Sequence, residues 1–267
     1  MRPFLKWAGG KYRMVQRITA VLPQGQRLVE PFAGSGALFL NSDYPTYLLA
    51  DINHDLINLF NMVKDEGKDF IVDAATYFIP ATNDKETYYK LRTQFNESTD
   101  ERERSLLFLY LNRHGFNGLC RYNKSGKFNV PFGQYKKPYF PLKEMRHFHE
   151  KAQTATFICA DFETVMTSLV EGDVVYCDPP YVPLSQTAHF TSYSAGKYDL
   201  TQQKRLARLA ERLGERGIPT IISNHNTPFT QGEYKKAKIE TFQVQRHISC
   251  IGSNRQKANE LIALFGM

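Results

Sequence analysis

The chain has 267 residues, 42% of them hydrophobic and 23% charged, and a formal net charge of +7, which suits one globular α/β domain, alone or carrying a smaller insertion. Its four cysteines (Cys120, Cys159, Cys177, Cys250) make no C-x-x-C pair and its seven histidines no H-E-x-x-H, which argues against a disulfide framework, a zinc knuckle and metal catalysis, and for a reducing compartment. No stretch approaches the roughly 18 apolar residues of a membrane span, and MRPFLKWAGGKYR lacks the apolar centre of an export signal, so a cytoplasmic protein without membrane contact is expected.

In chain order, KYRMVQRITAVL (11–22) spaces Met14, Val15, Ile18, Val21 and Leu22 as a helix does, and Pro23 follows its end. RLVEPF predicts a short strand entering the glycine turn AGSG. ALFLN is expected to open a helix, and TYLLAD (46–51) to form a second strand ending in an acid. This is the opening of a doubly wound nucleotide-binding sheet. Residues 53–111 read as mainly helical. Strands resume at ATFICAD (155–161), DVVYCDPPY (173–181) and PTIISNHN (219–226), separated by helical runs such as TQQKRLARLAERLGERG. QVQRHISC followed by KANELIALF is expected to supply the last strand and a tail. The pattern predicts a catalytic α/β domain made of 1–54 and 145–267, interrupted by a helical and basic insertion at 55–144.

The positive charge is concentrated around the end of that insertion. From Asn112 to His147 there are eight Lys/Arg and one acid, Glu144, an excess equal to the whole net charge of +7. Seven aromatics lie among them: Phe116, Tyr122, Phe128, Phe132, Tyr135, Tyr139 and Phe140. Cations for phosphates and rings for bases or sugars mark a nucleic-acid surface.

The turn PFAGSG (31–36) lets backbone approach a ligand closely. It is neither a P-loop nor a G-x-G-x-x-G pyrophosphate turn, and suits a ligand with a nucleoside but no pyrophosphate. Asp51, at the end of the next strand, can accept from ribose hydroxyls. In FLKWAGGK (4–11), Gly9 and Gly10 precede a helix whose N–H groups, with Lys11, suit a carboxylate, and Trp7 can cover an apolar face.

In DVVYCDPPY a buried strand stops at Asp178-Pro179-Pro180-Tyr181, where open α/β sheets bind ligands. The prolines stiffen the loop and remove N–H groups, leaving the Asp178 carboxylate and the Pro179 carbonyl as a pair of acceptors. Such a pair can grip both hydrogens of an exocyclic NH₂ group, favour pyramidal nitrogen and aim its lone pair at an electrophile, by positioning and electrostatics alone. Tyr181 offers a ring for a base to stack on. The amine of adenine fits this chemistry, and so does that of cytosine.

Together, LKWAGGK, VEPFAGSG, LADIN, LNRHGFNGLCRYN, FNVPFG, CDPPY and SNHN resemble the Dam-type DNA adenine-N6 methyltransferases, in the motif order of the family's alpha group. The resemblance runs from residue 4 to about 226 and implies a Rossmann-like methyltransferase sheet with helices on both faces. It implies S-adenosylmethionine as methyl donor, with S-adenosylhomocysteine as product and no metal, and double-stranded DNA as partner of a monomer. Residues 55–144 become the target-recognition domain, with GATC as the target and its adenine flipped out to meet Asp178 and Tyr181. The positions lining the cofactor site become Trp7, Ala8, Gly9, Lys11, Phe32, Gly34, Ser35, Gly36, Asp51, Ile52, Asp161, Phe162 and Asp178.

By the same resemblance Arg121 reads guanine, Leu119 and Pro131 touch thymine methyls, Phe116 enters the duplex and Lys6 makes a second base contact. Arg92, Arg113, Asn123, Asn129, Lys136 and Ser185 grip phosphates, and Asn117 and Tyr135 join the DNA surface. Gln134 stands where members of the family carry another arginine, and His114 replaces a tyrosine; both departures bear on backbone contacts and site preference. The rival readings are an N4-cytosine methyltransferase and a DNA-binding homologue without activity.

Overall fold

The computed structural model describes residues 1–183, 198–245 and 257–267. Among them lie seven strands: β1 (Arg27–Glu30), β2 (Thr46–Asp51), β3 (Ala155–Cys159), β4 (Asp173–Cys177), β5 (Thr220–His225), β6 (Lys238–Gln245) and β7 (Lys257–Phe265). The α-helices among these residues are α1 (Val15–Val21), α2 (His54–Glu66), α3 (Lys68–Ala75), α4 (Lys85–Glu97), α5 (Glu101–His114), α6 (Leu142–Ala152), α7 (Phe162–Thr167), α8 (Leu200–Glu215) and α9 (Pro228–Glu233). The fold is α/β, and the chain forms two compact units, Met1–Val21 with Ala33–Cys159, and Leu22–Phe32 with Ala160–Met267.

In the first unit β2 and β3 run parallel, from Tyr47 opposite Ala155 to Asp51 opposite Cys159. The apolar run Tyr47–Ala50 is buried throughout, as in a parallel strand covered on both faces. Rings from α2, α6 and β3 close over it: Phe60 lies 4.8 Å from Phe148 and 5.4 Å from Phe157. Side-chain oxygens of Asn53, Asp84 and Asp100 cap α2, α4 and α5 by accepting from Leu56, Thr87 and Glu103 N–H groups. Helix α5 is the unit's central post, with every residue from Ser105 to His114 buried. The α-helix expected from ALFLN is a single 3₁₀ turn, Phe39–Asn41, because the chain turns extended at Ser42 (φ −110°, ψ 165°) to enter β2.

In the second unit β1, β4 and β5 are parallel. An Arg27–Asp173 pair, with both nitrogen–oxygen contacts at 2.8 Å, locks the starts of β1 and β4. Helix α8 buries Leu206, Leu209, Ala210 and Leu213. The C-terminal end departs from expectation, because KANELIALF is a strand and not a tail. β7 runs antiparallel to both β5 and β6 and lies between them, so its buried run Leu261–Phe265 belongs to a sheet interior. The partner strand β6 begins earlier than predicted, at Lys238.

Candidate active site

The glycine turn of the first unit is moored to the end of β2. Ala33 N donates to the Ala50 carbonyl at 2.8 Å and Gly34 N to Asp51 Oδ2 at 3.1 Å. The other Asp51 oxygen accepts from Asn53 N at 2.9 Å. Burial raises the Asp51 pKa, and the backbone donors oppose the rise. The next residue, Ile52, is 66% exposed, an apolar face beside a carboxylate. Gly34 has φ +47°, and a Cβ there would stand 3.1 Å from Cδ1 and Nε1 of Trp7. The indole therefore lies on the glycine turn, in a space that only glycine leaves open. A Cβ on Gly10 would meet the Trp7 carbonyl at 3.2 Å and Ser35 Oγ at 3.7 Å, so segment 7–11 packs against the same turn.

One expectation changes here. Lys11–Met14 is a 3₁₀ turn without a side-chain cap, and regular helix begins only at Val15, so the dipole of a full α-helix does not reach Gly9. Lys11 Nζ instead donates to the Gly9 carbonyl at 3.0 Å. Ala8, Gly9 and Gly10 are exposed.

In the second unit Phe32 stacks on Phe162 (5.4 Å, 23°), and Tyr198 meets both rings edge-on. Asp161 caps α7, accepting from Thr164 N at 2.9 Å. Past β4, the DPPY loop is braced from β5 and α8. Ser223 Oγ donates to Asp178 Oδ1 at 3.0 Å, and the Tyr176 hydroxyl lies 3.0 Å from the same Ser223 oxygen. Gln203 Nε2 donates to the Pro180 carbonyl at 2.6 Å. Asn224 Oδ1 accepts from Val182 N at 3.1 Å, and His225 Nδ1 donates to the Val182 carbonyl at 2.6 Å. The Pro180 carbonyl is thus engaged, whereas no donor among the described residues reaches the Pro179 carbonyl. Tyr181 meets His225 edge-on at 4.8 Å, and its hydroxyl donates to Glu260 Oε2 at 3.3 Å. Burial first, then the Asp178 charge, holds the Tyr181 phenol well above its ordinary pKa, so it stays protonated. Burial pushes the Cys120 thiol up to about 12, and Cys177 is buried and shifted the same way, so neither suits a nucleophile.

The basic segment 115–141 is irregular but tied down within the first unit. Residues 120–130 form a hairpin whose tip is gathered by Asn123 Oδ1, the acceptor for Ser125 N, Ser125 Oγ and Lys127 N at 2.8–3.0 Å. Helix α4 holds the returning strand: Tyr88 Oη and Arg92 Nη1 both donate to the Val130 carbonyl at 3.0 Å, and Asn96 pairs with the Phe128 backbone. Phe116, 48% exposed, projects from a tight turn in which Asn117 has φ +55° and donates its N–H to Tyr135 Oη at 2.9 Å. Lys6 Nζ stands 3.9 Å over the Tyr135 ring, and burial, with Arg113 nearby, pushes its pKa down to about 8. Arg121, Asn123, Pro131 and Lys136 are exposed, and Leu119 and Asn129 half-buried.

Residues 7–248 match the family model described as the D12 class N6 adenine-specific DNA methyltransferase. The chain belongs to that family. It is 53% identical over 264 residues to a DNA adenine methylase of Escherichia coli strain K12, covering 99% of this chain and 95% of that one. It is 54% identical over 265 residues to a DNA adenine methylase of Vibrio cholerae, covering 99% and 96%, and 52% identical over 265 residues to one of Serratia marcescens, covering 99% and 98%.

In this N6 adenine-specific DNA methyltransferase the sequence-predicted residues differ in setting: Ala8, Gly9, Ile52, Phe116, Arg121, Asn123 and Lys136 are exposed, whereas Ser35, Gly36, Phe162 and Pro179 are buried. Among the residues expected on DNA, Arg113 departs most from expectation. It is only 8% exposed, its Nε donates to the Tyr139 carbonyl at 3.0 Å and Nη1 faces the Phe4 carbonyl at 3.5 Å. Its guanidinium is turned to two internal carbonyls and braces segment 115–141, a setting that does not suit the expected phosphate contact. His114 is likewise internal: its ring stacks on Tyr110 at 4.0 Å, and burial pushes its pKa down to about 4. Ser185 lies outside the described residues. Sequence reasoning missed Ser223, Gln203 and Asn224, although the SNHN block containing two of them stands out at the end of β5. Among the described residues no cluster of three or more His, Cys, Asp or Glu could hold a metal ion, and no helix is long and apolar enough to cross a membrane.

Proposed function

We propose that this DNA methyltransferase acts as a cytoplasmic monomer on duplex DNA, transferring a methyl group from S-adenosylmethionine to N6 of the adenine in GATC. The observation that carries the reading is the state of the DPPY acceptors. Ser223 fixes one Asp178 oxygen and Gln203 holds the Pro180 carbonyl, so the loop is braced with the Asp178 carboxylate and the Pro179 carbonyl as the acceptor pair for the two hydrogens of an amine. Fixed acceptors lower the reorganisation needed as positive charge develops on N6, and no covalent enzyme intermediate is required. Tyr181, kept protonated, stacks on the extruded base, whose unstacking costs a few kcal/mol.

S-adenosylmethionine supplies an electrophilic methyl group. The residues present fit it: glycine at 34 leaves the indole of Trp7 against a turn that a Cβ would fill, and Asp51 and exposed Ile52 offer a ribose acceptor beside an apolar face. Ala8, Gly9 and Lys11 suit the methionine carboxylate, and Gly34, Ser35 and Gly36 the nearby backbone approach. The pair Phe32–Phe162 and Asp161 suit the adenine moiety. On DNA, Arg121 reads guanine, Leu119 and Pro131 meet thymine methyls, Lys6 makes a second base contact and Phe116 fills the vacated stack. Arg92, Asn123 and Lys136 meet the phosphates, beside Asn117 and Tyr135.

The test is product analysis. Labelled S-adenosylmethionine and duplexes differing only at the four-base site are expected to yield N6-methyladenine in GATC alone. Equal labelling of every duplex contradicts the GATC assignment, and N4-methylcytosine contradicts the chemistry.

A further inference from the structure

Resting on the reading of Arg121 as a base reader, the geometry points to Asn129 and Tyr122 as residues that position it, giving Asn129 a specificity role in place of a phosphate contact. Three observations converge on this short strand. First, Arg121 is exposed, yet its guanidinium is held along one edge: Nε donates to Asn129 Oδ1 at 2.7 Å and Nη2 to the Asn129 carbonyl at 3.1 Å. The backbone closes the pair from the other side, with Asn129 N donating to the Arg121 carbonyl at 3.0 Å. A guanidinium carries five N–H donors in a planar fork. Using the Nε/Nη2 edge leaves the Nη1/Nη2 edge turned outward, which is the two-donor edge that the O6 and N7 acceptors of guanine require.

Second, alternation along an extended strand sends the side chains of residues 120 and 122 to the face opposite Arg121. Both are fastened there. Asn53 Nδ2 donates to Cys120 Sγ at 3.3 Å, and the Tyr122 hydroxyl donates to Asp55 Oδ2 at 2.6 Å. Third, the anchor is itself rigid. Asp55 is buried and its other oxygen accepts from Arg104 at 2.6 and 3.0 Å, while Arg104 also donates to the Phe95 and Ser98 carbonyls from α4 and its end. The reader therefore sits between a fixed inner face and a fixed outer partner, so its long side chain loses less rotamer freedom on binding than a free arginine.

An asparagine on a phosphate and an asparagine that orients a base reader make opposite predictions. Losing a phosphate contact weakens every duplex equally; losing an orienting contact weakens the cognate duplex selectively. The experiment measures kcat/KM on GATC and on duplexes changed at one base pair at a time, for wild type, Arg121→Ala, Asn129→Ala, Asn129→Asp and Tyr122→Phe, each checked for unaltered thermal unfolding. Asn129→Ala is expected to lower discrimination about tenfold at the same base pair that Arg121→Ala affects and at no other. Tyr122→Phe, which loses only its hydroxyl, is expected to do so several-fold, and Asn129→Asp, which keeps the acceptor, to retain discrimination within about twofold. If Arg121→Ala relaxes one position while Asn129→Ala lowers all duplexes alike, the positioning role is overturned and the reading of Arg121 stands. If Arg121→Ala changes no position, both fall.

Discussion

The Ser223 hydroxyl donates to Oδ1 of Asp178 at 3.0 Å, across from the end of β4 to the end of β5. A hydrogen bond to a charged group is worth about 1.5–3 kcal/mol, and in the proposed chemistry this one sets which carboxylate oxygen faces the amine. Ser223→Ala is expected to lower kcat by roughly ten- to a hundredfold, on that range, with KM for both substrates within about twofold. Ser223→Thr, which keeps the hydroxyl, is expected to restore most of it. Steady-state kinetics check this, and an unchanged kcat in the alanine variant refutes it.

Gly34 combines φ +47° with Trp7 ring atoms 3.1 Å from where a Cβ would stand. Alanine there adds about 1–2 kcal/mol of left-handed backbone cost and drives a methyl into the indole. Gly34→Ala is expected to weaken S-adenosylmethionine binding at least tenfold while DNA binding stays near wild type. Calorimetric titration measures both; cofactor affinity equal to wild type tells against the glycine turn as its seat.

Lys6 is held near pKa 8 by burial first and Arg113 second. A lysine with a lowered pKa is charged below that value and neutral above it, so its attraction for DNA is present at pH 7 and lost as pH rises through 8. Duplex affinity is expected to fall by up to about tenfold per pH unit above 8, and Lys6→Gln to flatten the profile there. Parallel wild-type and variant curves between pH 7 and 9 in a fluorescence-anisotropy titration contradict a DNA role for this ammonium.

His114 is buried, donates Nδ1–H to the Tyr110 carbonyl at 3.0 Å, and has its pKa pushed down to about 4 by burial, against an ordinary 6.5. Protonation therefore favours the unfolded chain. The stability of the neutral imidazole is fully present above pH 6.5 and lost as pH falls towards 4, by an amount on the order of 2–3 kcal/mol. His114→Phe is expected to lose less stability over that window than wild type in denaturant unfolding at pH 7 and pH 4.5. Equal losses show that this ring does not govern acid sensitivity.

Much of the motif-bearing framework is legible because it is local in sequence. The strand, glycine turn, strand and acid of 27–51, and β4 ending in DPPY, each combine periodicity with residues of fixed backbone preference, and both motifs landed where expected. Most departures from expectation depend on partners far along the chain. Arg113 looks like a phosphate ligand until the carbonyls of Phe4 and Tyr139 close over it. Ser223 lies in the SNHN block, but its partner Asp178 stands on another strand, so the sequence alone does not join the two. KANELIALF reads as a tail in sequence because only its pairing with β5 and β6 identifies it as a sheet interior. ALFLN failed as a helix because the chain is committed to turn before β2.

The most direct measurement replaces Asp178 itself. In Asp178→Ala, methyl transfer from S-adenosylmethionine to a GATC duplex is expected to drop below detection, while duplex affinity stays within a few fold of wild type, because contacts made in the transition state are removed and phosphate contacts are kept. Turnover close to wild type in that variant would contradict the acceptor role given to the DPPY loop.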